Sequence, residues 1–267
     1  MLGQLIANGR TSEVHRFGAD GAAKVLRSTT PQHWAEAEAS FTAAVRRLGV
    51  PAPKVRDVVA IDGRAAVVFE HVDGPSMWQR MLEHPKDVSA LTLELASIQR
   101  AIHEAGVPDE LPSLVDRMRL KLSEADELDG DERAEAAALL ERQPVGAALL
   151  HGDLHPGNVL LGPDGPVVID WFDAAVGHPV ADVARTMLLL QRGATDLRHL
   201  PGATPTMIAT MHDCFIESVA GRVPTDLLQA WCRLRAAGRL AEKTDLDVSG
   251  LLASWRETPS ASVVHDD

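Results

Sequence analysis

The sequence predicts an α+β fold in two unequal lobes: a small antiparallel β lobe over residues 1–72 and a larger helical lobe over 73–256 that holds one β-hairpin. Three observations carry this expectation. Short strand-like runs separated by Gly-containing turns fill the first seventy residues, around a single helical stretch. Apolar residues then recur at three- and four-residue steps along most of the remaining chain. That pattern is interrupted between Ala147 and Asp170, where β-like runs flank a Gly-Pro-Asp-Gly turn.

The elements follow in order. Leu2–Ala7, Glu13–Phe17 and Ala22–Arg27 read as strands, with turns at Asn8-Gly9 and at Gly18-Ala-Asp-Gly21. Over Pro31–Leu48 the stripe Trp34, Ala37, Phe41, Ala44, Val45, Leu48 predicts a helix. Thr30 is its expected N-cap, Pro31 its first residue and Gly49 its stop. Val55–Ile61 and Arg64–Glu70 flank Asp62-Gly63, a hairpin signal. Beyond Val72-Asp-Gly-Pro75, a stripe of Val88, Leu91, Leu95, Ile98 and Ile102 predicts the next helix. Val115–Leu128 and Asp131–Arg142 are two more, ending at Pro144-Val-Gly146. Val159–Leu161 and Val167–Ile169 form the hairpin around Gly162–Gly165. Helices return at about 180–192, 204–220 and 225–243, and 257–267 is expected as a flexible polar tail.

Composition bounds the function. Hydrophobic residues make up 45% and charged residues 24%, as in ordinary globular proteins, so wholesale disorder is excluded. The net charge of −12 disfavours nucleic acid and anionic membranes as partners. Cys214 and Cys232 are too few for a disulfide framework, and no run reaches the ~18 apolar residues of a membrane span. The N-terminus lacks the pattern of a signal peptide. A soluble, cytoplasmic monomer is expected.

Chemistry concentrates in His151-Gly-Asp153-Leu-His155-Pro-Gly-Asn158, followed by Val-Val-Ile-Asp170-Trp. Phosphoryl transfer needs a carboxylate to orient the attacking hydroxyl and take its proton, and oxygen ligands to hold Mg²⁺ on the nucleotide phosphates. Asp153 fits the first role, and Asn158 and Asp170 are hard ligands for the second. The hairpin between Asn158 and Asp170 lets a separation of twelve residues close into one metal site. A two-His-one-carboxylate iron triad using His151, Asp153 and a distant His199 or His212 is the rival. It belongs on an all-β barrel and leaves Asn158 and Asp170 idle.

His-x-Asp-x-x-x-x-Asn with a strand-end Asp is the catalytic-loop and metal-Asp pattern of kinases. In this form, with Ile-Asp-Trp, it resembles the aminoglycoside phosphotransferase and choline kinase-like family, and the likeness runs from about Gly9 to about Glu242. The resemblance implies a two-lobed protein-kinase-like fold with the nucleotide, ATP or GTP, in the cleft. It implies that Gly9, Thr11 and Ser12 belong to the phosphate-covering loop, that Lys24 grips phosphates, and that Glu38 fixes Lys24. Glu36 lies on the same expected helix and remains the alternative partner. The hinge then falls at Phe69–Gly74, with the Glu70 carbonyl and the Val72 amide toward the base.

His151 reads as a support of the loop, Asp182 as its buttress and Trp171 as packing, while His155 reads equally as a packed loop residue or a phosphate neighbour. Asp213 and Glu217, four apart, share a helix face that could meet a cationic acceptor or simply be solvated. The chain runs from Asp170 almost directly into a helix, with no Ala-Pro-Glu, which favours a small-molecule acceptor over a protein. The expected activity is Mg²⁺-dependent transfer of a nucleotide γ-phosphate to a small-molecule hydroxyl, on an aminoglycoside or other antibiotic. The alternatives are a kinase of an amino alcohol or sugar, or a nucleotide-binding pseudokinase.

Overall fold

The computed structural model describes residues 2–9, 11–191, 201–242 and 247–257. The small lobe is a five-stranded antiparallel sheet of β1 (Leu2–Asn8), β2 (Ser12–Phe17), β3 (Gly21–Leu26), β4 (Val55–Ile61) and β5 (Arg64–Glu70), in the order β1-β2-β3-β5-β4. Asp62 and Gly63 turn the β4–β5 hairpin with positive φ values of 50° and 74°, as a tight two-residue hairpin requires. Helix α1 (His33–Arg47) packs Ala35 and Ala39 on the face of the sheet that carries Leu26, Val67 and Phe69. The opposite side chains of β3 and β5, Ala23, Val25, Ala66 and Val68, are buried under Leu2, Phe17, Val59 and Ile61. Period-two alternation therefore splits β3 cleanly, and Lys24 falls on the α1 side.

The start of α1 differs from expectation. Gln32, already in helical conformation, precedes it, and no side chain caps it. The Thr30 hydroxyl instead donates to the Thr11 carbonyl at 3.2 Å, so it ties down the loop ahead of β2.

The large lobe contains α2 (Met77–Glu83), α3 (Val88–Glu104), α4 (Leu114–Glu124), α5 (Gly130–Glu141), α6 (Pro179–Leu189), α7 (Pro205–Val219), α8 (Thr225–Leu240) and α9 (Val248–Arg256). Helix α4 stops four residues short of the sequence expectation because Ala125 and Leu128 turn into the core. Helices α2 and α9 and the strand β9 (Ala175–Gly177) are too short for periodicity to reveal. One core surrounds Leu95, Ile102, Leu149, Leu154, Trp171 and Phe215, and a second surrounds Met118, Leu122, Trp231, Leu234 and Trp255. None of the described helices is long and apolar enough to cross a membrane. The expected tail beyond residue 257, His199, and the expected helix ends at 192 and 243 lie outside the described residues.

Two small pairings position the site. Strand β6 (Ala148–Leu150) pairs antiparallel with β9, Leu150 opposite Ala175, so residues 151–174 form an excursion closed at its base. Inside it lies the hairpin of β7 (Val159–Gly162) and β8 (Gly165–Val168). Two segments dock on this hairpin: the Val168 N–H donates to Pro51 O, in the α1–β4 connection, at 2.7 Å, and the Leu161 N–H to Pro75 O, in the chain between the lobes, at 2.9 Å. Gly74 (φ 150°) makes the approach close enough, since a Cβ there would stand 2.1 Å from Leu161 O.

Gly74→Ala should therefore push the linker off β7. A destabilisation of about 2–3 kcal/mol is expected, read as a Tm lower by roughly 5 °C or more. An unchanged melting curve would show that the linker can shift at no cost.

Candidate active site

Lys24 occupies the middle of β3, opposite Val14 on one side and Val67 on the other. Its ammonium donates to Glu38 Oε1 at 2.7 Å and to Asp170 Oδ1 at 2.8 Å. Glu38 comes from α1 and is buried, and Asp170 follows β8 in the other lobe. The structure thus selects Glu38 over Glu36 as the partner, and adds a contact to Asp170 that the sequence did not reveal. Burial alone would pull the Lys24 pKa down, but Asp170 and Glu38 more than offset this and raise it. Burial pushes the Glu38 carboxyl up to about 7 against the pull of Lys24.

Asp170 adopts the left-handed conformation (φ 65°, ψ 62°) that Asp and Asn tolerate better than other side-chain-bearing residues. It opens a short 3₁₀ turn, Trp171–Asp173, whose aromatics anchor it in both directions. Trp171 is fully buried and donates to Val168 O at 2.8 Å, which confirms its packing role. Phe172 stacks on Trp34 of α1 with ring centroids 4.4 Å apart, a contact between lobes that the apolar stripe did not specify. Arg117 of α4 donates through both terminal nitrogens to Phe172 O at 3.1 Å.

The loop of residues 151–158 is held largely at its backbone groups. Both Asp182 oxygens accept N–H groups of the loop, from His151 at 3.2 Å and from Gly152 at 2.8 Å. Gln99 and His103 of α3 also bond Asp182, so α3, α6 and the loop meet on one buried carboxylate. Gly152 (φ 84°) is required here, because a Cβ would stand 2.2 Å from Asp173 O. His151 lies between two backbone groups: its Nε2 faces Ile169 O at 3.0 Å, and its Nδ1 accepts from the Asp153 N–H at 3.2 Å. A carbonyl only accepts and an amide only donates, so the tautomer is fixed and the imidazole is a strut. His155 likewise accepts from the Gly157 N–H at 3.0 Å, capping the 3₁₀ turn that carries Asn158.

Asn158 donates its Nδ2 to Asp153 O at 2.9 Å. The amide nitrogen is thereby committed, which makes the carbonyl end the one suited to a cation. The Asp153 carboxylate is partly exposed, and its Oδ1 accepts from Arg185 Nη2 at 2.8 Å and Nε at 3.2 Å. Burial would raise its pKa, yet Arg185, His155 and Arg239 hold it well below the usual carboxylate range. Sequence reasoning assigned nothing to Arg185. Its signal was present, because Arg185 follows Asp182 by three residues and so shares its helix face.

The remaining expected residues fall in two places. The Gly9 N–H donates to Ser12 O at 2.9 Å, closing the turn between β1 and β2, while the Arg27 side chain donates to Gly9 O and its N–H to Thr11 O. Glu70 ends β5 and turns its carboxylate onto the Lys54 N–H at 2.8 Å, so only its backbone can face the cleft. Val72 lies against Gly162 of the hairpin. His71 sits 3.2 Å from Asp73. Asp213 and Glu217 lie on α7, the first 3.2 Å from His212 and the second exposed.

Asp182→Asn should be costly, because an amide offers one acceptor where two buried N–H groups need one each. A loss of about 2–4 kcal/mol is expected. Burial opposes ionisation of Asp182, but His103 and Arg235 hold its pKa below the ordinary 3.8. A depressed folded value means that the contribution is complete above the unfolded value and is lost as pH falls toward the folded one. Urea unfolding should show the full gap between wild type and variant at pH 7, narrowing below about pH 4. A gap that is constant with pH would contradict the buried-carboxylate account.

A sequence profile described as APH, phosphotransferase enzyme family, matches residues 3–204. Comparison with curated proteins gave no match. Solved structures share the fold. A thermostable mutant of aminoglycoside phosphotransferase APH(4)-Ia, in ternary complex with ADP and hygromycin B, is 16% identical with a TM-score of 0.64, over 96% of this chain and 89% of that one. Amicoumacin kinase hAmiN, in complex with AMP-PNP, Ca²⁺ and Ami, is 17% identical with a TM-score of 0.59, over 95% and 86%. A choline/ethanolamine kinase family protein from Mesorhizobium loti is 18% identical with a TM-score of 0.51, over 96% and 92%. The profile spans the small lobe from residue 3, the 151–158 loop and Asp170, and with it the chain belongs to the phosphotransferase enzyme family.

Proposed function

We propose that this phosphotransferase moves the γ-phosphate of ATP or GTP, with Mg²⁺, to a hydroxyl of a small molecule, with aminoglycosides and other antibiotics as the first candidates. The observation that carries this reading is the meeting of Lys24, Glu38 and Asp170 within 2.8 Å, from both lobes, beside a loop that presents Asp153. Asn158 and Asp170 offer a carbonyl and a carboxylate, the hard donors that Mg²⁺ prefers, and so fit the ion. Asn158 and Asp170 would hold the cation, which would offset negative charge on the nucleotide phosphates.

Every other role falls to the chain itself. The Gly9–Ser12 turn, pinned by Arg27, offers backbone over the phosphates, and Lys24 supplies a fixed positive charge to their oxygens. Glu38 keeps Lys24 in place. The hinge backbone at Glu70 and Val72 faces the base. Asp153 orients the acceptor hydroxyl for in-line attack on the γ-phosphorus. As the new P–O bond forms and the bond to the β-phosphate oxygen breaks, the hydroxyl proton passes to the Asp153 carboxylate. With its pKa depressed, Asp153 is a weak base and takes the proton late, which suits a loose transition state that needs positioning more than deprotonation. The absence of a long segment between Asp170 and α6 supports a small acceptor, and the two free cysteines fit a reducing cytoplasm.

Asp153→Asn should lower kcat by about 10²–10⁴-fold while nucleotide affinity stays within a few-fold, measured by coupled ADP release and by calorimetry. Wild-type turnover in that variant would sink the assignment. A second expectation concerns the metal. Asp170→Asn should weaken nucleotide binding strongly with Mg²⁺ present and little in EDTA, and equal losses in both conditions would make Asp170 purely structural. A coupled-ADP screen over aminoglycosides, macrolides, amino alcohols and sugars decides the acceptor class, and turnover with none of them favours the pseudokinase alternative.

A further inference from the structure

Arg185 is nearly buried in α6, with its side chain 8% exposed. An arginine so placed needs partners, and it has two carboxylates on one fork. Nε and Nη2 both point at Asp153 Oδ1, at 3.2 and 2.8 Å, and Nη2 also lies 3.4 Å from Glu242 Oε1. Glu242, just beyond α8, is itself held by Lys121 of α4 at 3.3 Å. The guanidinium thus joins α6 to the loop and to the end of α8, and α4 reaches the same cluster through Lys121 on Glu242. The consequence for Asp153 is geometric. Two donors on a single oxygen set the rotation of the carboxylate plane, while Asn158 and His151 fix its backbone.

We propose that Arg185, oriented by Glu242, is a positioning residue for the transfer: it occupies Oδ1 of Asp153 and turns Oδ2 toward the acceptor hydroxyl. This rests on the role of Asp153 argued above. A planar fork does this where an ammonium cannot, since the guanidinium reaches Oδ1 through two nitrogens at once and still meets Glu242. A carboxylate free to rotate would present its oxygens at varying angles, and misplacement of a reacting group by about 1 Å costs on the order of 10²-fold in rate.

The test uses the full chain with the best acceptor from the screen, in four variants: Arg185→Lys, Arg185→Met, Glu242→Gln and the Arg185→Met/Glu242→Gln pair. Arg185→Met should lower kcat by about 10²-fold, with acceptor KM within about 3-fold and nucleotide affinity unchanged. Arg185→Lys should recover part of that loss. Because Glu242 acts through Arg185, the double variant should be no slower than Arg185→Met alone. A crystal structure of Arg185→Lys, the variant most apt to fold, should show the Asp153 carboxylate rotated, a readout that needs no acceptor.

The proposal is overturned if Arg185→Met keeps wild-type kcat, or if its loss lies wholly in acceptor KM, which would make Arg185 a substrate ligand. Additive losses in the double variant, or an unmoved carboxylate in Arg185→Lys, overturn it as well. Failure here is distinct from failure of the proposed function, because Asp153→Asn tests that reading without touching Arg185.

Discussion

A buried ammonium between two carboxylates holds this molecule's halves in register. Lys24 has lost most of its water, and an isolated charge in that position would cost several kcal/mol. Glu38 compensates from within the small lobe, and Asp170 compensates from the large one. The constraint reaches outward from there. Glu38 requires α1 to lie against β3, so the helix needs small residues such as Ala35 and Ala39 at the contact. Asp170 requires the hairpin to end beneath the sheet, and the Pro51 and Pro75 carbonyls clasp its strands to ensure that. The Trp34–Phe172 stack adds an apolar contact alongside the ionic one, so the approach of α1 to Asp170 does not rest on charge alone.

The other half of the site is organised by Asp182. Loops expose backbone N–H groups that must be satisfied, and the catalytic loop satisfies two of them on a carboxylate from α6. Strand pairing at Leu150 and Ala175 closes the same loop at its base. The Asp153 carboxylate thereby stands on a loop whose N–H groups at His151, Gly152 and Asp153 are all bonded, which is how a partly exposed Asp can be held in one orientation. Asp182 and Arg185 are one helical turn apart, so α6 steadies the backbone of the loop with one residue and its key side chain with the next.

Much of this was legible in the sequence. The hairpin turn at Asp62-Gly63, the stripe of α3 and the hairpin between Asn158 and Asp170 each state a local rule that the fold obeys. Glu38 was harder, since Glu36 shares its helix and only the packing of α1 decides between them. What stayed hidden has a common cause. The Lys24–Asp170 and Arg185–Asp153 contacts join residues 146 and 32 positions apart, where no periodicity operates. Thr30 misled for the opposite reason: its local capping signal was sound, but a tertiary partner, Thr11 O, claimed the hydroxyl. Strand β9 and helix α9 were too short to register as patterns at all.

The left-handed backbone at Asp170 limits how this sequence can drift. A positive φ is cheap for Gly, tolerable for Asn and Asp, and strained for nearly everything else. The backbone therefore filters mutations at this position before chemistry does, and it leaves two easy neighbours. Both lack the charge: Asn keeps an oxygen and Gly keeps only the turn. Either neighbour keeps the turn but removes one of the two carboxylates that compensate Lys24, so a lineage that took it would lose stability along with the charge. The Trp34–Phe172 and Asp182 contacts would still hold the halves and the loop together. Backbone and charge thus constrain this position separately: the positive φ narrows the choice to a few residues, and the buried ammonium of Lys24 favours the one among them that carries a negative charge.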